Sequence, residues 1–469
     1  MRVKGPIAVA LGAVALRLAI GVGFVNYDSV YSLVWGQQLA RGQTPSYGTP
    51  LAPTPHPLLE AVGVLLAPLG AAATISIAVA LAFLALAWLG YLAFLLGARW
   101  FSWPVGLAAT ALVLSRYEVL SYGVRAYVDI PYVCLVLAAL AVESRRRRAG
   151  WPVLALLGLA GLLRPEAWLF AGVYWLWCWP AFDRRGRVAL AALVIAAPAL
   201  WLLFDGLVTG NPLWSLTNTR HTAGELHRAT GIANVPYDGA RRLGEVLGPD
   251  GLVAAAIGGV LALWLTRSRA LPGAVTGVLA VIAFAILGAA GLPIQDRYVL
   301  LIGAILAVFG GAGLFGWRLL EPGHPRRRLW QGGAVLIAVA IAASIPLWDL
   351  SRFHKTFVGS KPADQALPAQ QRIQSDLVAL TARHAITTRC LPISVPYATP
   401  VPVLALYLHT SPANITFGPI AHGTYLTAAS AAVHTEYELD TNETTRTGSV
   451  PAGFALRASN RSWRVYSSC

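Results

Sequence analysis

The sequence predicts a polytopic α-helical membrane protein of about 11 transmembrane helices with a small extracytoplasmic α/β domain at its C-terminal end. Three observations predict it. Apolar runs of roughly 17–25 residues, the length that crosses a bilayer, recur through residues 1–348. Basic residues gather in short clusters between those runs. The composition then changes sharply at residue 349. Hydrophobic residues make up 56% of the 469 and charged residues only 12%, which excludes an ordinary water-soluble domain. The formal net charge of +15 is no nucleic-acid signature, because the arginines form no amphipathic face. They mark topology instead.

Arg2 and Lys4 precede an apolar run from Gly5 to Val25, too long for the core of a cleaved signal peptide and without a clear cleavage motif. It reads as a retained anchor. Further spans are expected near 72–97, 103–120, 127–143, 151–163, 167–181, 188–206, 251–267, 271–290, 298–317 and 331–348. Backbone groups in hydrocarbon must be satisfied internally, so each is expected as a helix. The piece 57–69 is too short to cross and is expected to lie in the interface. Arg99, Arg145 to Arg148, Arg184, Arg185, Arg187, Arg267, Arg269 and Arg326 to Arg328 fall on one side if the N-terminus is cytoplasmic.

That orientation sends three segments outside: a loop at 26–57, a loop at 205–250, and the domain 349–469. In the domain, "PAQQRIQSDLVALTARH" has helical periodicity, "LPISV" and "NITF" read as short strands, and "GFALRASNRSWRVYSSC" as a closing hairpin. Cys390 and Cys469 lie where disulfides persist, and a bond between them is expected. Cys134 and Cys178 fall inside spans as packed thiols. No Cys/His spacing suggests a metal site.

The polar residues left at the outer ends of the spans are the unusual ones. Asp28 follows the first span in "NYDSVYSLVWGQQLARGQTP". Arg125 and Asp129 stand in "GVRAYVDIPY", Arg164 and Glu166 in "GLLRPEAW", and Arg297 and Tyr298 in "IQDRYVLL". Ionisable groups at membrane depth are costly, and functional use is the default hypothesis for them. Taken singly, each reads as a snorkelling anchor or a structural ion pair. Together on one side they outline a site for an anionic, lipid-linked substrate.

Here the chain resembles the GT-C superfamily of membrane glycosyltransferases. That group includes protein O-mannosyltransferases, lipid A aminoarabinose transferases and actinobacterial mannosyl- and arabinosyltransferases. The resemblance rests on Asp28 and Tyr31 followed by "LARGQTP" and "PTPHPL", then "YVDIPY", "LLRPEAW" and "DRYVLL" in order, over roughly residues 1–348. Asp28 is followed by Ser29 where the protein mannosyltransferases carry an Asp-Glu pair, which argues against a protein acceptor.

The resemblance implies an inverting transfer of a sugar, mannose or arabinofuranose, from a polyprenyl-phosphate donor to an extracytoplasmic acceptor: a glycan, lipid or protein of the envelope. It implies no organic cofactor, no obligatory metal and no nucleic acid, and it makes Asp28 the general base. Arg297 is the expected phosphate partner, because a guanidinium binds phosphate through paired hydrogen bonds. Tyr298 adds a hydrogen bond, Arg125 and Arg164 are second candidates, and Glu166 is expected to orient an arginine. Asp129 either holds acceptor hydroxyls or pairs with Arg125 four residues earlier. His56 and Tyr31 stand as contacts for sugar or acceptor, beside the plainer reading of His56 as an incidental loop residue. Two other classes fit the same spans: a transporter or lipid flippase, and a non-catalytic envelope scaffold.

Overall fold

The computed structural model of the chain describes residues 4–344 and 366–469, except 441, 444, 446 and 447. The expected boundary at 348/349 and the end of the last expected span lie outside the described residues. The chain divides into two compact units. One comprises Met1–Ala19, Ala80–Phe204 and Arg228–Ser351, and the other Ile20–Val79, Asp205–His227 and Arg352–Cys469.

The protein is a polytopic helical membrane protein. Among the described residues, five helices are long and apolar enough to cross a membrane: Pro57–Trp100, Arg184–Thr209, Ile232–Leu265, Arg267–Ala289 and Asp296–Leu319. A sixth is obtained if Tyr117–Val124 and Asp129–Arg145, bent by 109° at their break, count as one span. Other runs expected to span form shorter helices, among them Gly5–Ile20, Trp103–Leu114 and Trp151–Gly161. The run expected at 103–120 stops at Leu114 for a visible reason. Arg116 leaves the helical conformation (φ −87°, ψ 125°) and its guanidinium is buried against Asp250, with paired bonds of 2.9 Å to both carboxylate oxygens. The piece at 57–69, expected to lie in the interface, is continuous with the next helix through a 3₁₀ turn, Ala67–Leu69.

Within the first unit, the Val235–Leu265 helix is broken at Gly248 (φ 71°) and Pro249. The positive φ suits glycine, and a Cβ there would stand 2.7 Å from Asp250 Oδ1 and 2.9 Å from Arg116 Nη1. The break and the ion pair are therefore one construction. It packs against Leu300–Phe315 and Trp103–Leu114.

The second unit gathers Tyr27–Ala40, Pro57–Leu66, Trp214–Glu225 and the C-terminal domain. Tyr27–Ala40 lies in what the sequence offers as a loop. Its residues are buried on every face, as befits a helix enclosed by protein. It crosses Pro57–Leu66 at Gly36, where a Cβ would overlap the Glu60 carbonyl oxygen. The domain carries a five-stranded sheet in the order β2-β1-β3-β5-β4: β1 Ile393–Val395, β2 Ile415–Phe417, β3 Thr424–Ala428, β4 Ala455–Ser459 and β5 Trp463–Ser467. β1 runs parallel to β2 and β3, and the C-terminal hairpin adds antiparallel β5 and β4. Trp463 and Val465 are fully buried, with Ile373 and Leu377 of helix Ala366–Ala382 among the core residues. Cys390 and Cys469 are disulfide-bonded across 79 residues.

A buried charge left without its partner is strongly destabilising, whereas a matched apolar pair is tolerated. Arg116→Met or Asp250→Ala is expected to cost about 3–5 kcal/mol in detergent-solubilised unfolding, and Arg116→Met with Asp250→Leu distinctly less. Equal losses in single and double variants would contradict the ion-pair account.

Candidate functional site

Asp28 sits in the second unit, in the first turn of the Tyr27–Ala40 helix. Asn26 caps that helix: its Oδ1 accepts from Asp28 N at 2.8 Å and Ser29 N at 3.2 Å. A carboxylate in the first turn is also favoured by the helix dipole. From Phe24 to Gln38 every residue is buried except Asp28, which keeps intermediate exposure. The helix shows solvent one acid.

An aromatic row runs from Tyr27 through Tyr31 and Trp35 to Tyr47, with ring centroids 5.0, 5.1 and 4.8 Å apart. Tyr27 donates to the Leu51 carbonyl at 3.0 Å. Burial first, then Tyr31, Glu443 and Asp28 nearby, holds the Tyr27 hydroxyl well above the usual tyrosine range. Burial raises Tyr31 likewise. Tyr47 donates to Glu60 Oε2 at 2.7 Å, and burial followed by Glu60 raises its pKa. Tyr27 and Tyr47 therefore act as neutral donors, and Tyr31 offers its ring face. Their hydroxyls are poor sources of tyrosinate.

His56 is buried at the N-cap of Pro57–Leu66, where its carbonyl accepts from Leu59 N and Glu60 N. The Trp214–Glu225 helix is tied to the same loop: Asn218 Nδ2 donates to the Ala52 carbonyl at 3.1 Å, and Thr219 meets Thr54 at 2.6 Å. Asp205 accepts from Ser215 N and Oγ, fixing that helix's first turn. Sequence reasoning missed Glu60, Tyr47 and Glu443. A single acid within the apolar run "PLLEAVGVLL" was the signal available for Glu60.

The arginines form a cluster wholly within the first unit. Arg164 is buried; its Nε and Nη2 donate to Glu166 Oε1 at 3.0 and 2.7 Å, and its Nη1 to Asp129 Oδ1 at 2.6 Å. Its guanidinium carbon lies 4.1 Å from the centre of the Tyr298 ring. Arg297 also stands over Tyr298, at 5.4 Å, and over Tyr127, at 5.5 Å. Arg125 follows, 5.0 Å from Tyr127 and 5.1 Å from Tyr122. Tyr122 closes the row by donating to Asp296 Oδ1 at 2.6 Å. Three arginines thus alternate with three tyrosine rings.

The turn between the bent helices makes this possible. Ala126 adopts φ 55° there, and the turn brings Arg125 and Tyr127 into the row. Gln295 Oε1 accepts from Arg297 Nε at 2.7 Å, and the Ser121 carbonyl from Arg125 Nε at 3.2 Å. Arg164 is committed to two carboxylates, which makes it the anchor of the row. Arg297 and Arg125 are only partly buried. Tyr127 and Tyr122, missed as platforms in the sequence, flank Arg125 on either side.

Each cation–ring contact is worth about 0.5–1 kcal/mol at exposed sites. Because Tyr298 serves two guanidiniums, Tyr298→Leu is expected to lower unfolding stability by about 1–2 kcal/mol, while Tyr298→Phe keeps the ring face and loses far less. Equal effects of Phe and Leu would remove the ring from the account.

No protein-family model and no curated protein sequence matches the chain. A solved structure does: ArnT from Cupriavidus metallidurans in the apo state, at 11% sequence identity and a TM-score of 0.56, over 99% of this chain and 97% of that one. The likeness covers nearly all of both chains, and the protein shares the overall fold of that structure.

Proposed function

We propose that the chain is a polyprenyl-phosphate-sugar-dependent glycosyltransferase that acts with inversion on an extracytoplasmic acceptor. The observation that carries this reading is Asp28, the one partly exposed residue in an otherwise buried stretch, held by its Asn26 cap. Folding keeps this residue partly exposed while burying its neighbours in sequence. Mannose and arabinofuranose are the sugars we favour, and the N-terminus faces the cytoplasm by the placement of the basic clusters.

The reaction divides between an acid and arginines. Asp28 takes the proton from an acceptor hydroxyl as its oxygen attacks the anomeric carbon. The bond from that carbon to the phosphate oxygen breaks, and its electron pair leaves with the phosphate. Arg297, backed by the Tyr127 and Tyr298 rings, meets the developing charge. Arg125 adds a second cation on the same row. Asp129 and Glu166 act through Arg164, as positioning residues.

Asp28→Asn preserves size and removes basicity. Transfer by the purified protein is expected to fall by about a hundred- to ten-thousandfold, with donor binding retained. Arg297→Ala is expected to behave the other way, weakening donor binding about ten- to a hundredfold, as loss of a charged hydrogen bond worth roughly 1.5–3 kcal/mol implies. Near-normal turnover by Asp28→Asn at matched donor occupancy would sink the base assignment. Unchanged donor affinity in Arg297→Ala would move the phosphate to Arg125.

A further inference from the structure

The C-terminal domain reaches the helix that carries Asp28 at both ends and along its side. Two glutamines three residues apart on one face of helix Ala366–Ala382 grip the chain just before the Asn26 cap. Gln371 Oε1 accepts from Gly23 N at 3.1 Å, and Gln374 Nε2 donates to the Val25 carbonyl at 3.3 Å. At the far end, Arg41 Nη2 meets His409 Nδ1 at 2.8 Å. Between them, helix Pro400–Leu408, buried from Pro400 to Leu406, packs on Tyr27–Ala40. These residues all belong to one compact unit.

From this we infer that Gln371 and Gln374 are positioning residues for Asp28, and that the C-terminal domain is a working part of the acceptor side of the reaction. The inference rests on the proposed role of Asp28. Gly23 and Val25 immediately precede the cap, so their two bonds set where the chain enters the helix. A helix start defined by one side-chain cap is free to fray. Anchoring the two preceding backbone groups to a disulfide-closed domain removes that freedom. The base then stands at a fixed place when the acceptor arrives, which is where proximity catalysis gains most.

The opposite polarity of the two bonds supplies a test that a loss of packing cannot imitate. Glutamate at 371 still accepts from Gly23 N–H. Glutamate at 374 loses the donor and turns an oxygen towards the Val25 carbonyl. In the full-length purified protein, Gln371→Glu is expected to keep near-wild-type kcat, and Gln371→Met to lose part of it. Gln374→Glu should lower kcat by about tenfold or more, approaching the ~10²-fold that a 1 Å misplacement costs. KM for a polyprenyl-phosphate sugar donor should change little in all three. Amide exchange at Ser29 and Val30, the first turn of the helix, should quicken in Gln374→Glu and stay slow in Gln371→Glu.

Equal behaviour of the two glutamate variants in exchange, or unaltered exchange in both, would overturn the clamp. If exchange follows the expected pattern and Asp28→Asn in the same assay retains turnover, the clamp stands as structure and the role given to Asp28 fails. If Asp28→Asn is inactive and the exchange pattern holds while Gln374→Glu turns over normally, positioning by the domain is refuted.

Discussion

Nearly every side chain of residues 24–38, polar ones included, is buried inside protein, and the rest of the second unit depends on what encloses them. A helix bearing Asn26, Ser29, Ser32, Gln37 and Gln38 among its buried residues cannot lie in hydrocarbon, and nearly all its surface is also closed to water. Buried polar side chains are stabilised by partners, and several find theirs locally. Asn26 caps the first turn, Ser32 returns to the Asp28 carbonyl, and Gln38 accepts from Ser46. The helix therefore needs walls. Pro57–Leu66 supplies one and Pro400–Leu408 another, the second from the far end of the sequence. A local requirement for hydrogen bonds thus becomes a long-range requirement for the C-terminal domain.

The same economy governs the arginines of the first unit, with aromatic faces in place of caps. A guanidinium is weakly hydrated and stacks well, so a ring can hold its face. Arg164 gives both its edges to carboxylates, those of Asp129 and Glu166. That fixes the Tyr298 ring from one side and leaves its contact with Arg297 on a defined platform. Arg116 and Asp250 show what a wholly structural pair looks like in this protein: bidentate, buried and built into a helix break.

Much of this was legible in the sequence, and the losses have physical causes. Apolar runs showed a polytopic helical membrane protein, because hydrocarbon thickness is a strong and simple constraint. Their number was less legible. A run such as 103–120 reads as one apolar stretch, yet Arg116 leaves the helix to bury its charge, a partnership with Asp250 that spans 134 residues. The segment 26–57 looked like a loop because its polar residues suggest water, when they face protein. The quoted motifs held Asp28, Arg125, Asp129, Arg164, Glu166, Arg297 and Tyr298, but not the order in which rings and guanidiniums would stack. Gln371 and Gln374 carry no signal at all. They are ordinary helix residues until Gly23 and Val25, nearly 350 positions away, are brought beside them.

The central claim is that this chain moves a sugar from a lipid phosphate with inversion, and the most direct measurement is of the product. The purified protein would be incubated with isotopically labelled polyprenyl-phosphate mannose and arabinofuranose, with nucleotide sugars in parallel, and a mixed envelope-lipid and glycan acceptor. The anomeric configuration of the transferred sugar would be read by NMR. The account predicts transfer from a polyprenyl-phosphate donor, none from a nucleotide sugar, and a glycosidic linkage of configuration opposite to that of the donor. Transfer with retained configuration, or from the nucleotide sugar, would contradict it.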